Sequence, residues 1–317
     1  MSEQTITARV HAIRYEAAGI NSIELRPCGD AVFPAFEPGA HIDLHLPNGI
    51  RRSYSLLNSP QEQGRYVVAV LRDRHSRGGS AWIHRELRVG DELPLSGPRN
   101  LFPLDMSASR SVLLAGGIGV TPILCMYRAL MQAGAQVELI YCARSRAEAA
   151  LLDEITALGG RVQFHFDDEA GAPDLQSLLG GHAPDTHFYC CGPTPMLDSF
   201  EAVCERLGYR NVHTERFTAA DVAPSAEARD SYEVELVQSG KTLLVEAGQS
   251  LLDQLLEAGV DVGFACREGI CGSCEVAVIE GEVDHRDSVL SDSERAANSV
   301  MMVCVSGCKS KKLSLDL

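Results

Sequence analysis

The chain has 317 residues, 45% of them hydrophobic, which suits a soluble protein of two or three domains with real cores. Its 28 basic against 43 acidic side chains leave −15, a balance that argues against nucleic acid and anionic membrane surfaces as partners. The start, "MSEQTITARV", lacks a basic stretch followed by an apolar one, and the longest apolar run, "VLLAGGIGVTPILCMY" from Val112, holds three glycines and a proline, so a cytoplasmic protein is expected.

From Thr5 to about Pro103, "TARVHAIRYEA", "INSIELRP", "AHIDLHL", "RRSYSLL" and "RYVVAVLRD" alternate or run apolar between the turn signals "EPG", "PNG" and "EQG". Many short strands so punctuated predict an antiparallel β-barrel or sandwich over 1–106. "GGSAWIHREL" interrupts them with a helical turn or two. Between Arg110 and about Phe217 strand and helix alternate instead. "SVLLAG", "QVELIYCA", "RVQFHF" and "THFYCCG" read as strands. "TPILCMYRALMQAG", "RAEAALLDEITALGG", "DLQSLLG" and "TPMLDSFEAVCERLG" read as helices, the last with Pro195 in its first turn. That order predicts a parallel α/β sheet over 107–220. The small, polar "TAADVAPSAEARD" reads as a linker, set at 221–230. Residues 231–317 then give a hairpin, "SYEVELVQSGKTLLVEAG", a helix, "SLLDQLLEAGV", and further short strands. This last segment holds 15 acidic against 7 basic residues, a surface suited to docking or simply to solubility.

The eleven cysteines are expected to be reduced or metal-bound rather than paired. Cys28, Cys125, Cys142 and Cys204 lie apart and read as small buried residues. Cys266, Cys271 and Cys274 stand in "FACREGICGSC", and Cys304 completes C-x4-C-x2-C-x29-C, the plant-type [2Fe–2S] ligand spacing. Three thiolates from one tight loop and one from a distant strand can surround a small, negatively charged cluster. Gly269, Gly272 and Ser273 are small enough to let backbone N–H groups turn toward the sulfurs. Structural zinc favours two paired knuckles, and here there is one close pair. Cys308, beyond a glycine, fits the fourth position less well. The segment from Ser231 resembles a plant-type ferredoxin domain of β-grasp fold.

"RRSYSL" matches the R-x-Y-S motif of the ferredoxin-reductase flavoprotein superfamily at Arg52, Ser53, Tyr54 and Ser55. A guanidinium suits a flavin phosphate, an aromatic ring suits the flavin, and a hydroxyl suits its N5 edge. Gly78, Gly79 and Ser80 form a turn suited to one phosphate. "LLAGGIGVTPI" follows a strand and opens a helix, but its pattern is G-G-x-G-x-T-P rather than the Rossmann fingerprint. With "YCCGPTPM" it resembles the superfamily's pyridine-nucleotide module. The resemblance implies Gly116, Gly117 and Gly119 near the pyrophosphate, Thr121 and Cys191 near the nicotinamide, and Gly192, at the strand end, as a further cofactor contact. It implies Ser55, Thr121 and Cys191 at the reacting atoms, Cys190 as a core thiol, and Val70, Leu71 and Phe217 beside the flavin.

The domain order, barrel, nucleotide domain and C-terminal ferredoxin, resembles the phthalate dioxygenase reductase family, which includes vanillate demethylase reductases. That resemblance implies FMN, a [2Fe–2S] cluster and NADH rather than NADPH. It also implies a monomer serving a terminal oxygenase of Rieske non-haem iron type, in aromatic metabolism. A stand-alone diaphorase would leave the ferredoxin domain superfluous, and a redox sensor would not turn over NADH. Arg144 and Arg146 follow the second nucleotide-domain strand and should approach the adenosine ribose, Arg144 as a contact. His41, Asp43 and His45 share one strand face, read as barrel lining rather than a metal site. The "KSKK" near the C-terminus reads as solvated surface.

Overall fold

The computed structural model describes residues 5–218 and 230–317. The linker expected at 221–230 lies outside them except for Asp230. Contacts divide the chain into two compact units, Thr5–Phe217 and Thr218–Leu317.

In the first unit, β1 (Ile6–Ala17), β2 (Ile20–Pro27), β3 (Ala40–His45), β4 (Arg51–Ser55), β5 (Tyr66–Leu71), α1 (Gly79–Arg85) and β6 (Glu92–Asn100) build the barrel. Its sheet runs β4-β3-β6-β1-β2-β5, antiparallel throughout. A Leu56–Val68 bridge and the Leu57 N–H to Val67 O bond of 3.0 Å join the chain just past β4 to β5, which curls the sheet closed. Val10, Ile23, Leu25, Ile42, Leu44, Val68, Val70, Leu93 and Leu95 fill the interior. Each contributes roughly 1.5–3 kcal/mol by burial. The five expected strands are present, and β6 is a sixth. Pro94 and Pro98 mask β6 in the sequence, yet it lies between β3 and β1 because its pairing shifts register opposite His41 and Asp43.

A second layered structure follows: β7 (Arg110–Gly116), α2 (Val120–Gln132), β8 (Gln136–Ala143), α3 (Leu152–Leu158), β9 (Arg161–Phe166), α4 (Asp167–Ala170), α5 (Leu175–Leu179), β10 (His187–Cys191), α6 (Thr194–Leu207) and β11 (Asn211–Glu215). The sheet is parallel in the order β11-β10-β7-β8-β9. Side chains of β7 alternate between two cores. Leu113 and Ala115 meet α2, while Val112 and Leu114 meet α5 and α6. The α2 core continues into the barrel through Ala17, Leu57, Val67 and Phe102. The single helix expected from Arg146 to Gly160 is broken: a 3-10 turn at Arg146–Glu148 gives way to extended backbone, and Leu151 takes a left-handed φ of 64°. There the Ala150 N–H donates to the Tyr141 hydroxyl at 3.0 Å instead of continuing a helix.

In the second unit, β12 (Tyr232–Leu236), β13 (Lys241–Val245), α7 (Leu251–Glu257), β14 (Glu275–Glu280), β15 (Val283–Asp284), α8 (Asp292–Ala297), β16 (Val300–Met302), β17 (Gly307–Cys308) and β18 (Lys312–Leu315) follow. The sheet order is β13-β12-β18-β14-β16, with β12 and β18 parallel, and β15 pairs with β17. Helix α7, capped by Ser250, packs Leu251, Leu252 and Leu255 into the core with Val234, Leu236 and Leu313. Helix α8 was not expected, although "SDSE" is a capping box that Ser291 and Glu294 form in full. No helix among the described residues is long and apolar enough to cross a membrane.

Candidate functional site

Strand β4 places Arg52, Ser53, Tyr54 and Ser55 opposite Leu44, Asp43, Ile42 and His41. Asp43 accepts a hydrogen bond of 2.5 Å from Ser53 and pairs with Arg99, while His45 Nε2 lies 3.0 Å from Ser96 Oγ, so these β3 side chains have partners within the barrel. The turn before α1 lies directly over β4. A methyl on Gly79 would stand 2.8 Å from Arg52 Cγ, and one on Gly78, whose φ is 98°, would stand 2.9 Å from Ile50 Cδ1. Gly78, Gly79 and the Arg52 guanidinium thus form one cradle. Ser80 Oγ lies 3.0 Å from Ser76 Oγ and accepts from the Asp73 N–H at 3.2 Å. Burial holds the Tyr54 phenol protonated by raising its pKa, against a smaller pull from Arg52. Val70 keeps its side chain wholly within the barrel core, and Leu71 is half exposed at the strand end.

The two glycine-bearing nucleotide motifs meet at the C-terminal ends of β7 and β10, where the strand order reverses and α/β sheets bind ligands. Gly116 would put a methyl 2.6 Å from Met196 Sδ and 2.8 Å from Pro193 Cδ. Gly119 abuts the Cys191 carbonyl, with Gly192 N at 2.8 Å from its absent Cβ. Gly117 turns the loop at φ 54°. Thr121, buried on the first turn of α2, donates its hydroxyl to Ile118 O at 3.1 Å. Arg144 is exposed beyond β8, and Phe217 packs against the α2 core.

One residue absent from the expected set completes this region. Glu215 lies beside Cys191 in the β10–β11 register, its Oε2 4.0 Å from Cys191 Sγ, and it hydrogen-bonds the Ser55 hydroxyl. Burial pushes its carboxyl up to about 8, and the Ser55 bond opposes that shift. Burial, then the Glu215 charge, drive the Cys191 thiol well above its ordinary range, so it is a neutral thiol. The barrel motif and the nucleotide sheet therefore converge on one group of polar atoms, with Ser55 and Cys191 buried and Glu215 half-buried. The "TERF" stretch held this residue in plain view, next to Phe217.

In the second unit Cys266, Cys271 and Cys274 are buried and Cys304 is half-buried. Cys266 lies within hydrogen-bond reach of both Cys271 and Cys304, and Cys304 within reach of Cys274. Backbone N–H groups point at the sulfurs: Glu268 N to Cys266 Sγ at 3.2 Å, with Ile270 N also on Cys266 and Gly269 N on Cys304. Such donors offset thiolate charge, which fits the donor set of a [2Fe–2S] cluster. Gly269, at φ 67°, leaves no room for a methyl, which would fall 2.6 Å from Val305 Cγ2 and 3.0 Å from Asp287 Cα. Arg267 is also left-handed, at φ 59°, and is held by Asp253 at 2.7 Å and by the Phe264 ring at 4.8 Å. Cys308 bonds instead to Ser310 O, at 2.6 Å. Cys125, Cys142, Cys190 and Cys204 are buried as expected, but Cys28 is partly exposed at the end of β2, where its N–H bonds Thr7 O.

Residues 113–202 match the family model of an oxidoreductase NAD-binding domain, and residues 234–309 that of a 2Fe-2S iron-sulfur cluster binding domain. The phenoxybenzoate dioxygenase subunit beta of Ectopseudomonas oleovorans is 50% identical over 98% of this chain and 97% of its own. The vanillate O-demethylase oxidoreductase of Pseudomonas sp. (strain HR199 / DSM 7063) is 42% identical over 97% and 98%. Phthalate dioxygenase reductase, as a solved structure, shares 39% identity and a TM-score of 0.73 over 99% of this chain and 98% of that one. An intact type IV self-sufficient cytochrome P450 monooxygenase gives 39% and 0.90 over 99% of this chain, which spans only 41% of that longer one. With half its residues shared across nearly its whole length, the chain belongs to the phthalate dioxygenase reductase-like family, the NAD(P)H-dependent flavin and iron–sulfur reductase subunits of oxygenase systems.

Proposed function

We propose that the flavin is FMN, the preferred donor NADH, and the acceptor a Rieske-type non-haem iron oxygenase with an aromatic substrate. The observation that carries this reading is the convergence of Ser55, Glu215 and Cys191, which joins the flavin motif to the nucleotide motifs. When bound, the flavin takes two electrons from the nucleotide and returns them singly to the cluster; the protein supplies position and electrostatics. Arg52, with Gly78, Gly79 and Ser80, holds one phosphate, which suits a mononucleotide. Tyr54, Phe217, Val70 and Leu71 would hold the ring system, and Ser55 would serve its reactive edge, with Ser53 bracing the strand. Gly116, Gly117 and Gly119 admit the pyrophosphate, Thr121, Cys191 and Gly192 line the nicotinamide, and Arg144 reaches the adenosine. Cys266, Cys271, Cys274 and Cys304 ligate the cluster. The functional modules are 1–106, 107–220 and 231–317, in a cytoplasmic monomer whose many free thiols suit a reducing compartment. Relatives named for phenoxybenzoate and vanillate support an aromatic substrate for the partner.

Acid extraction and chromatography of the flavin, followed by anaerobic NADH titration with absorption and EPR, test this reading. FMN bleaching in fixed ratio with a rhombic iron–sulfur signal is expected; FAD, or flavin bleaching with a silent cluster, would refute it. A relative in Sphingobium chlorophenolicum, 43% identical, is named tetrachlorobenzoquinone reductase, which favours quinone reduction as a second reading. Quinone turnover that survives removal of 231–317 would support that alternative.

A further inference from the structure

The loop that carries Cys266, Cys271 and Cys274 is bent into a shape that it would not hold alone. Arg267, Gly269 and Gly272 all take left-handed backbone, at φ 59°, 67° and 68°. At a non-glycine residue such as Arg267 this backbone is strained, and it persists only where the surroundings enforce it. The turn from His285 to Leu290 supplies such support at Gly269. The Ser288 N–H donates to Gly269 O at 2.8 Å, and a methyl on Gly269 would stand 3.0 Å from Asp287 Cα. Gly269 O and the Ile270 N–H belong to one planar trans peptide, so the bond from Ser288 also fixes where the Ile270 N–H points. It points at the Cys266 sulfur, and the Gly269 N–H, on the other side of the same Cα, points at Cys304. Asp287 shapes this turn. Its Oδ1 accepts from the N–H groups of Val289 and Leu290 at 3.0 and 2.8 Å, and its carbonyl oxygen accepts from Arg295 of α8 at 2.6 Å. The side chain is buried, and Oδ2 lies 3.7 Å from His285 Nδ1 without a hydrogen-bond partner among the described residues. An acid satisfied at one oxygen only is a poor core residue, so packing alone does not explain its place.

We propose that Asp287 is a positioning residue for electron transfer: by shaping the 285–290 turn it sets the Ser288 N–H on Gly269 O, which aims the Ile270 and Gly269 N–H groups at Cys266 and Cys304 and so tunes the cluster's reduction potential. This rests on the reading of those cysteines as cluster ligands. Hydrogen bonds to the sulfurs are one of the quantities that set such a potential. The full-length holoproteins Asp287→Asn, Asp287→Ser and Asp287→Ala are titrated spectroelectrochemically, with iron and sulfide content, EPR and melting curves. All three lack the carboxyl, so differences among them report the turn rather than its charge. Asn keeps an acceptor for the Val289 and Leu290 N–H groups, Ser keeps a weaker one, and Ala keeps none. The potential should fall in that order, because weaker N–H donation destabilises the more negative reduced form. Between Asn and Ala the ratio of reduced to oxidised cluster should change by about tenfold, on the order of one charge-assisted hydrogen bond and equal to about 59 mV for one electron. A merely structural role would lower the melting temperature and leave the potential in place. The step from Asn to Ser carries the test if the alanine variant loses its cluster. Equal potentials across the series, or a cluster lost from the Asn variant, which keeps both turn bonds, overturn this inference and leave the ligand reading intact. A wild type without an iron–sulfur signal overturns both.

Discussion

Gly119→Ala tests whether the β7–β10 junction is the nucleotide site. Gly119 has φ −58°, a conformation any residue adopts, so backbone strain plays no part. Gly119 is the N-cap of α2, a position where alanine is less favourable than glycine by roughly 1 kcal/mol. Space adds the larger cost. The new methyl would overlap the Cys191 carbonyl and stand 2.8 Å from Gly192 N, both main-chain atoms that cannot swing aside. The loop and the end of β10 must part by on the order of 1 Å, at an overpacking cost of roughly 1–3 kcal/mol. A displacement of ~1 Å at a reacting pair lowers rates by about 10²-fold. Stopped-flow bleaching of the flavin by NADH should therefore slow by about that factor. Flavin content and the EPR signal of the dithionite-reduced cluster should be those of wild type, since neither site includes residue 119. A variant that bleaches within about threefold of the wild-type rate, with a crystal structure showing the methyl accommodated, would remove this junction from the reaction.

Cys304→Ser should abolish the [2Fe–2S] EPR signal while Cys308→Ser retains it; the opposite result would exchange their roles. Arg52→Ala should release the flavin on gel filtration, and Gly79→Ala, which presses on the flexible Arg52 side chain at 2.8 Å, should weaken flavin binding by about tenfold, both read by fluorescence titration. Glu215 has a pH signature: its folded pKa of about 8 exceeds the ordinary 4.5, so the native state keeps a proton that the unfolded chain has lost. The stability this provides is complete below the unfolded value and is lost as pH rises to the folded one. Glu215→Gln should flatten the decline of Tm across that window, and parallel slopes in the two proteins would contradict the burial seen here.

Much of this architecture was legible because its determinants are local. Period-two alternation marked five barrel strands, and Cys266, Cys271 and Cys274 lie within nine residues of each other. What was missed depends on partners distant in sequence. Strand β6 survives two prolines because β3 shifts register to meet it. The helix after β8 stops short because Tyr141 captures the Ala150 N–H. Glu215 looks like an ordinary strand-end acid until parallel pairing sets it beside Cys191 and folding half-buries it against Ser55. The capping box of α8 is the exception, since its four residues were local and sufficient.

A glycine substitution should read differently at the two sites, because their chemistries constrain different quantities. Hydride transfer needs reacting atoms nearly in contact, and the first unit enforces this with main-chain packing at Gly116, Gly119 and Gly192. Single-electron transfer to a cluster depends instead on its charge environment, set by N–H groups such as that of Gly269 on Cys304. A methyl at Gly269 meets Val305 and Asp287 and is strained by the φ of 67°, so the loop must shift and the N–H must turn from the sulfur. Gly269→Ala should therefore lower the cluster's reduction potential in spectroelectrochemical titration, by destabilising its more negative reduced form, while NADH still bleaches the flavin at the wild-type rate. An unchanged potential in a protein that keeps its cluster would mean that this N–H does not tune it.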